Sequence, residues 1–218
     1  MDGPAFVRGL EESLDQVLRR LSPEETLRAE LDGALTIEKL LRIALRSELE
    51  ATEIAARWLA TTPEVEVKLA FARQIGDEAK HYRLIQERLR ALGVDVTGFN
   101  PLAKGYGELY LYLTSLNDMV ERIAAAQFTR EAIATVWNRE FIAFCERQGD
   151  AETARLYREV IQADEEFHHE LGKELLGRYA TTPQQQAKAR TAMNRTLELA
   201  EEMQALNVRQ GMRHAPTS

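Results

Sequence analysis

The sequence predicts an all-α protein: a four-helix bundle with one extra helix before it and another after it. Three observations carry that expectation. Only 12 Gly and 6 Pro occur among 218 residues, and they cluster at a few points, leaving long stretches without helix breakers. Within those stretches apolar residues recur at helical spacing, with no competing strand-like alternation. The breaks between them carry paired stop and start signals of the kind that join neighbouring helices.

Residues 4–20 read as a leading amphipathic helix with Phe6, Leu10, Leu14 and Leu18 on one side. With the linker that follows it makes an N-terminal segment, residues 1–35. The bundle occupies residues 36–180. Its first helix starts at Thr36, an N-cap with Glu38 following, and runs to about Ala60. Thr62-Pro63-Glu64 then reads as the N-cap, first-position proline and acidic first turn of the second helix, which continues to about Leu92 and stops at Gly93. Residues 93–107 hold four glycines and a proline, a connection long enough for a crossover. The third helix spans Leu109 to Gln148 with a break near Asn117-Asp118, and Gly149-Asp150 supplies a C-cap and a new N-cap for the fourth, residues 151–179. A C-terminal segment, residues 181–218, opens at Thr182-Pro183 and holds a last helix over 184–208. Its face is thinly apolar (Ala187, Met193, Leu197, Met203, Leu206), which places it across the bundle or at a subunit contact, and the tail from Gly211 should be loose.

Composition narrows the function. Hydrophobic residues at 44% and charged residues at 29% describe an ordinary globular chain that can bury a core. A net charge of -7, with no dense basic stretch, argues against nucleic acid as a partner. No apolar run approaches the roughly 18 residues of a membrane span, and the first residues lack a signal-peptide pattern, so no membrane partner is expected and a cytoplasmic location is. The single cysteine, Cys145, excludes an internal disulfide and a four-cysteine iron site, so any metal must be held by oxygen and nitrogen.

The chemistry sits in a motif that occurs twice. The second helix contains Asp77-Glu78-Ala79-Lys80-His81 and the fourth contains Asp164-Glu165-Glu166-Phe167-His168. In each, Glu and His three residues apart project from one helix face and can hold one metal ion. Each pair also lies inside an apolar stripe: Phe71, Ile75, Glu78, His81 and Ile85 in one, Ile161, Glu165, His168, Leu171 and Leu175 in the other. A buried carboxylate without compensation costs on the order of several kcal/mol, and a pair of metal cations would remove that cost.

A dinuclear site of this type needs one more carboxylate from each partner helix. Glu48, Glu50 and Glu53 are the candidates on the first helix. Glu48 is the choice, with Glu50 second, because it precedes Glu78 by 30 residues and is in phase with Leu41, Ala44, Ala51 and Ala55. On the third helix, counting away from the turn at Gly149 puts Glu131 level with Glu165 and leaves Glu140 too close to the turn.

The six residues Glu48, Glu78, His81, Glu131, Glu165 and His168 resemble the ligand set of bacterial non-haem di-iron carboxylate proteins, a ferritin-like superfamily. Gly76 to His81 resembles the corresponding stretch of phenylacetyl-CoA epoxidase, and Ser47-Glu48-Leu49-Glu50 through Glu64 is similar in layout to the first ligand helix of aldehyde-deformylating oxygenase. Across residues 36–179 the pattern also resembles the catalytic subunits of bacterial multicomponent monooxygenases. The resemblance implies a ferritin-like bundle and two iron ions, with manganese the alternative. It also implies that Asp77 and Asp164 accept the free imidazole N–H groups of the ligating histidines, and that Thr135, one turn beyond Glu131, acts catalytically in proton handling. A threonine bonding its own helix backbone is the other reading of Thr135.

The expected function is a di-iron carboxylate oxidoreductase that activates dioxygen to oxidise an apolar organic substrate, served by an electron-donor protein, with room for a homodimer. Hard carboxylate and imidazole donors suit iron or manganese. Two alternatives are an iron-handling ferroxidase, storage protein or rubrerythrin-like peroxide scavenger, and a non-catalytic partner subunit of an oxygenase. Glu166 and His169, a shifted copy of the motif, read as surface residues; Cys145 reads as an inert core thiol, and Tyr82 and Tyr157 as packing side chains rather than redox groups.

Overall fold

The computed structural model describes residues 2–21 and 36–213, with side chains described as far as residue 205. Those residues are all-helical and contain no strand. They are α1 (Gly3–Leu18), α2 (Ile37–Thr61), α3 (Val65–Ala91), α4 (Glu108–Ser115), α5 (Met119–Ile123), α6 (Glu131–Arg147), α7 (Ala151–Leu156), α8 (Gln162–Tyr179) and α9 (Pro183–Arg213). Two π-helical segments complete the path: Ala124–Arg130 joins α5 to α6, and Tyr157–Ile161 joins α7 to α8. The chain forms two compact units, Thr36–Ser115 and Met1–Leu35 with Leu116–Ser218.

The unit Thr36–Ser115 is built on an α2/α3 hairpin. Thr36 caps α2 by accepting from the Lys39 amide, as its sequence context predicts. Thr62 does not open α3, contrary to expectation. It closes α2, its hydroxyl donating to the Trp58 carbonyl (2.8 Å), and Glu64 holds the N-cap position of α3 without a side-chain bond. The bond is the local one, from a hydroxyl to the carbonyl four residues back, that threonine offers at a helix end. Register follows from the turn. Trp58 meets Phe71 with ring centroids 5.5 Å apart, and ten residues farther along each helix Glu48 meets His81. α3 ends at Gly93, whose positive φ (80°) lets the Val94 amide reach the Leu89 carbonyl. The connection then docks α4 on α2: Arg46 donates to the Gly105 carbonyl, and Tyr106 and Tyr110 both donate to Glu53.

In the other unit, the expected break comes at residues 116–118. Asp118 caps α5 through the Val120 amide and pairs with Lys188 of α9. Gly149 (φ 79°) and Asp150 form the turn into α7, Asp150 accepting from the Thr153 amide. α1 buries Phe6, Val7, Leu10 and Leu14, and packs on α8 and α9. The last helix buries Met193 and Leu197 as expected but differs at other positions of its inner face, and the side chain of Leu206 lies outside the described residues. Ala189, Ala192, Met193, Thr196, Leu197 and Leu199 are buried, whereas Ala187 and Met203 are exposed. Small residues on that face let α9 lie against the π segment and α5. Helix continues through Gly211 to Arg213, where a loose tail was expected; residues 214–218 lie outside the described residues.

The two π segments interrupt what the sequence pattern presents as plain α-helices. Tertiary contacts hold the first open. The Thr129 hydroxyl donates to the Ala124 carbonyl five residues back (2.6 Å), inside the widened turn. His169 of α8 donates through Nδ1–H to the Phe128 carbonyl (2.6 Å). Gly172 makes this approach feasible: a Cβ there would stand 2.8 Å from the backbone of Gln127 and Phe128. His169 is therefore no surface residue. Burial lowers its pKa and so favours the neutral ring, while the bond to the Phe128 carbonyl works the other way.

Candidate metal centre

Each unit buries a triad of two glutamates and a histidine. In the hairpin unit, Glu48 comes from α2 and Glu78 and His81 from α3. Their ligand atoms lie within 4.8 Å of one another, with His81 Nδ1 3.5 Å from both the Glu48 and Glu78 carboxylates. Glu48 is 6% exposed and the other two are fully buried, so little water is available to solvate three ionisable groups. Burial, with Glu78 alongside, pushes the Glu48 carboxyl up to about 8. Burial opposes charge on His81, but the Glu48 and Glu78 carboxylates outweigh it and hold the imidazole up to about 10. Glu48 and His81 thus retain protons in the range where free glutamate and histidine lose them, as expected of ligands that carry protons in place of a cation.

The other glutamates of α2 go elsewhere. Glu50 accepts from Arg46 and from the Gly107 amide, and Glu53 takes both tyrosine hydroxyls. The Glu48 choice over Glu50 therefore coincides with a physical sorting. Two glutamates fasten the following loop, and one faces the histidine.

In the second unit, Glu131 is the first residue of α6, and Glu165 and His168 stand on α8. All three are buried, and their ligand atoms also lie within 4.8 Å of one another. His168 Nδ1 is 3.5 Å from Glu165. Glu131 has a cationic companion: Arg130 Nη1 donates to its Oε1 at 2.9 Å. Glu140 belongs to neither cluster. The stripes that carry the motifs are shifted slightly from expectation, since Ile75 and Leu171 are only half-buried while Gln74, one turn before Glu78, is buried in their place.

Thr135 is buried, and its hydroxyl donates to the Ala132 carbonyl (2.8 Å). Asp77 pairs with Arg73 and Lys80 on its own helix, and Asp164 is half-buried. Cys145 is a fully buried thiol, and Tyr157 packs edge-on against Phe141. Sequence reasoning missed Arg130, His169 and three buried glutamines: Gln74, Gln127 and Gln162. The glutamines carried a readable signal, a long polar residue one turn before a motif carboxylate, on the same face.

The donor set of each triad, two carboxylates and one imidazole with no thiolate, fits a hard or borderline divalent ion. These buried clusters can hold metal. No family model, no curated protein and no solved structure matches the chain. Among the described residues, no helix is long and apolar enough to cross a membrane.

Proposed function

We propose that this chain is a ferritin-like dinuclear metal protein whose six residues Glu48, Glu78, His81, Glu131, Glu165 and His168 act as one ligand set for two iron ions. The proposed activity is oxidation of an apolar organic substrate at the expense of dioxygen. The observation that carries the reading is the duplicated triad: the same two-glutamate, one-histidine composition is buried once in each unit. Four carboxylates would balance two divalent ions, which removes the desolvation cost of burying them.

Bound iron would supply the redox chemistry with dioxygen; the chain's own residues supply orientation, charge balance and exclusion of water. The glutamates and histidines fix ligand directions from rigid helices. Arg130 limits the negative charge around Glu131, and Thr135 is the nearest hydroxyl on the same helix that could pass a proton. Electrons would come from a separate donor protein, because a single cysteine leaves the chain without a thiolate cluster of its own. Manganese in place of iron, a homodimeric assembly and a cytoplasmic setting belong to the same proposal.

The test is anaerobic loading with ferrous iron, elemental analysis, and an oxygen pulse followed by optical spectroscopy. The proposal expects two irons per chain and a transient absorbance on oxygen addition. Uptake of many irons per chain would favour a storage protein, and uptake of none would leave the triads as a buried proton-sharing network.

A further inference from the structure

Three glutamines stand one turn ahead of a motif carboxylate, and they are used differently. Gln74 donates to Glu78 (3.4 Å), and Gln162 donates to Glu166 (2.8 Å). Gln127 precedes Glu131 by the same four residues that separate Gln74 from Glu78, but it lies inside the π segment, where that spacing no longer aligns the two side chains as it does in an α-helix. The Glu131 oxygen Oε1 is also already taken by Arg130. The Gln127 side chain is completely buried, and neither its amide nitrogen nor its amide oxygen has a hydrogen-bond partner.

Its position gives that observation a meaning. The Gln127 Cβ lies against α8 at Gly172, 3.1 Å from where a Cβ on that glycine would stand. Gly172 is four residues after His168, on the same face of α8. Gln127 therefore precedes Glu131 by four residues, in the segment that leads into α6, and its Cβ abuts α8 one turn from His168. Fully buried amides with neither end satisfied are rare, because the desolvation cost is not returned. An isolated amide presents an acceptor and a donor side by side, and the group complementary to both is another carboxamide or a protonated carboxyl.

We propose that Gln127 is a binding residue beside the metal centre that pairs, through two parallel hydrogen bonds, with a terminal carboxamide or carboxylic acid on a ligand whose remainder is apolar. The inference rests on the proposed metal site for its setting, and it narrows the substrate class. Gln127 touches the ligand's polar end and so fixes which carbon faces the ligating residues.

The experiment uses the manganese-loaded protein and two matched probe series, linear primary amides from acetamide to octanamide and the nitriles of the same lengths. Nitriles accept but do not donate. At least one amide should raise the melting temperature of the wild type and bind at least tenfold more tightly than its nitrile. Gln127→Met should keep the metal content, melt at an equal or higher temperature without ligand, and lose that tenfold preference. Should Gln127→Met fail to fold, Gln127→Asn, which withdraws the amide by one methylene, should weaken amide binding while keeping the metal. If no amide binds the wild type, or if the variants bind amides as tightly as the wild type does, the proposal is overturned. Metal content measured on the same samples separates the two readings: two metals without amide selectivity sinks only the Gln127 assignment, and absence of metal sinks the proposed centre.

Discussion

The hairpin unit and the second unit bury triads of the same composition by different means. In the hairpin, two uninterrupted α-helices meet in antiparallel register, and His81 Nδ1 lies 3.5 Å from each of two carboxylates. In the second unit both ligand-bearing helices pass through a π segment just before their ligands, and Arg130 already binds Glu131. One triad is compensated by protons, the other in part by a fixed cation. The same ligand chemistry can therefore rest on regular geometry with labile charge, or on irregular geometry with permanent charge.

The sharpest way to break this comparison is in metal stoichiometry. Glu131→Ala should lose or disorder metal at the second triad, whereas Glu140→Ala, nine residues along the same helix, should leave the content unchanged. Elemental analysis of the purified variants decides it. Metal loss in Glu140→Ala alone would reverse the assignment.

Next in size is pH dependence, which should come from the hairpin triad. Folded-state pKa values raised to about 8 for Glu48 and about 10 for His81 mean stability that is complete below the unfolded values, near 4.5 and 6.5, and lost as pH rises through the folded ones. The two groups interact, so the loss belongs to the pair rather than to either residue alone. The metal-free protein should therefore melt progressively lower from pH 5 to pH 10, and Glu48→Gln should flatten the acidic half of that slope. Manganese should oppose the trend, since deprotonated ligands bind metal better. A metal-free melting temperature that rises over this range would contradict the proton-sharing account.

Arg130→Met tests the fixed cation. It leaves Glu131 buried without its ion-pair partner, which should cost about 3 kcal/mol in urea unfolding of the metal-free protein. Metal should recover part of that loss. A variant as stable as the wild type would show that Arg130 contributes nothing to the second triad.

The smallest effects come from two helical glycines. Gly172→Ala should destabilise by about 1–3 kcal/mol, because the new methyl group meets the π-segment backbone at 2.8 Å. Gly76, in α3 beside the first motif, has nothing within 4 Å, so Gly76→Ala should stabilise by about 0.5–1 kcal/mol through helix propensity. Calorimetric melting of both variants tests whether close backbone packing is confined to the π-bearing unit.

Much of the molecule was legible in the sequence because its signals are local. Breaker positions, the Thr36 cap, the Gly93 and Gly149 stops and the Asp118 break depend on dihedral preferences and on side chains bonding amides two or three residues away. The doubled Glu-x-x-His motif is local in the same sense, and counting residues from each tight turn was enough to select Glu48 and Glu131 as the carboxylates that join it.

What only the tertiary structure decided lies in contacts between helices distant in the chain. His169 reaches the Phe128 carbonyl of the π segment, and α9, packed on that segment, buries Ala189 and Ala192 rather than Ala187. The π segment itself depends on Thr129, on His169 and on the missing side chain of Gly172. Helical periodicity is blind to such a turn, since its cost is local and part of its compensation comes from residues more than forty positions away.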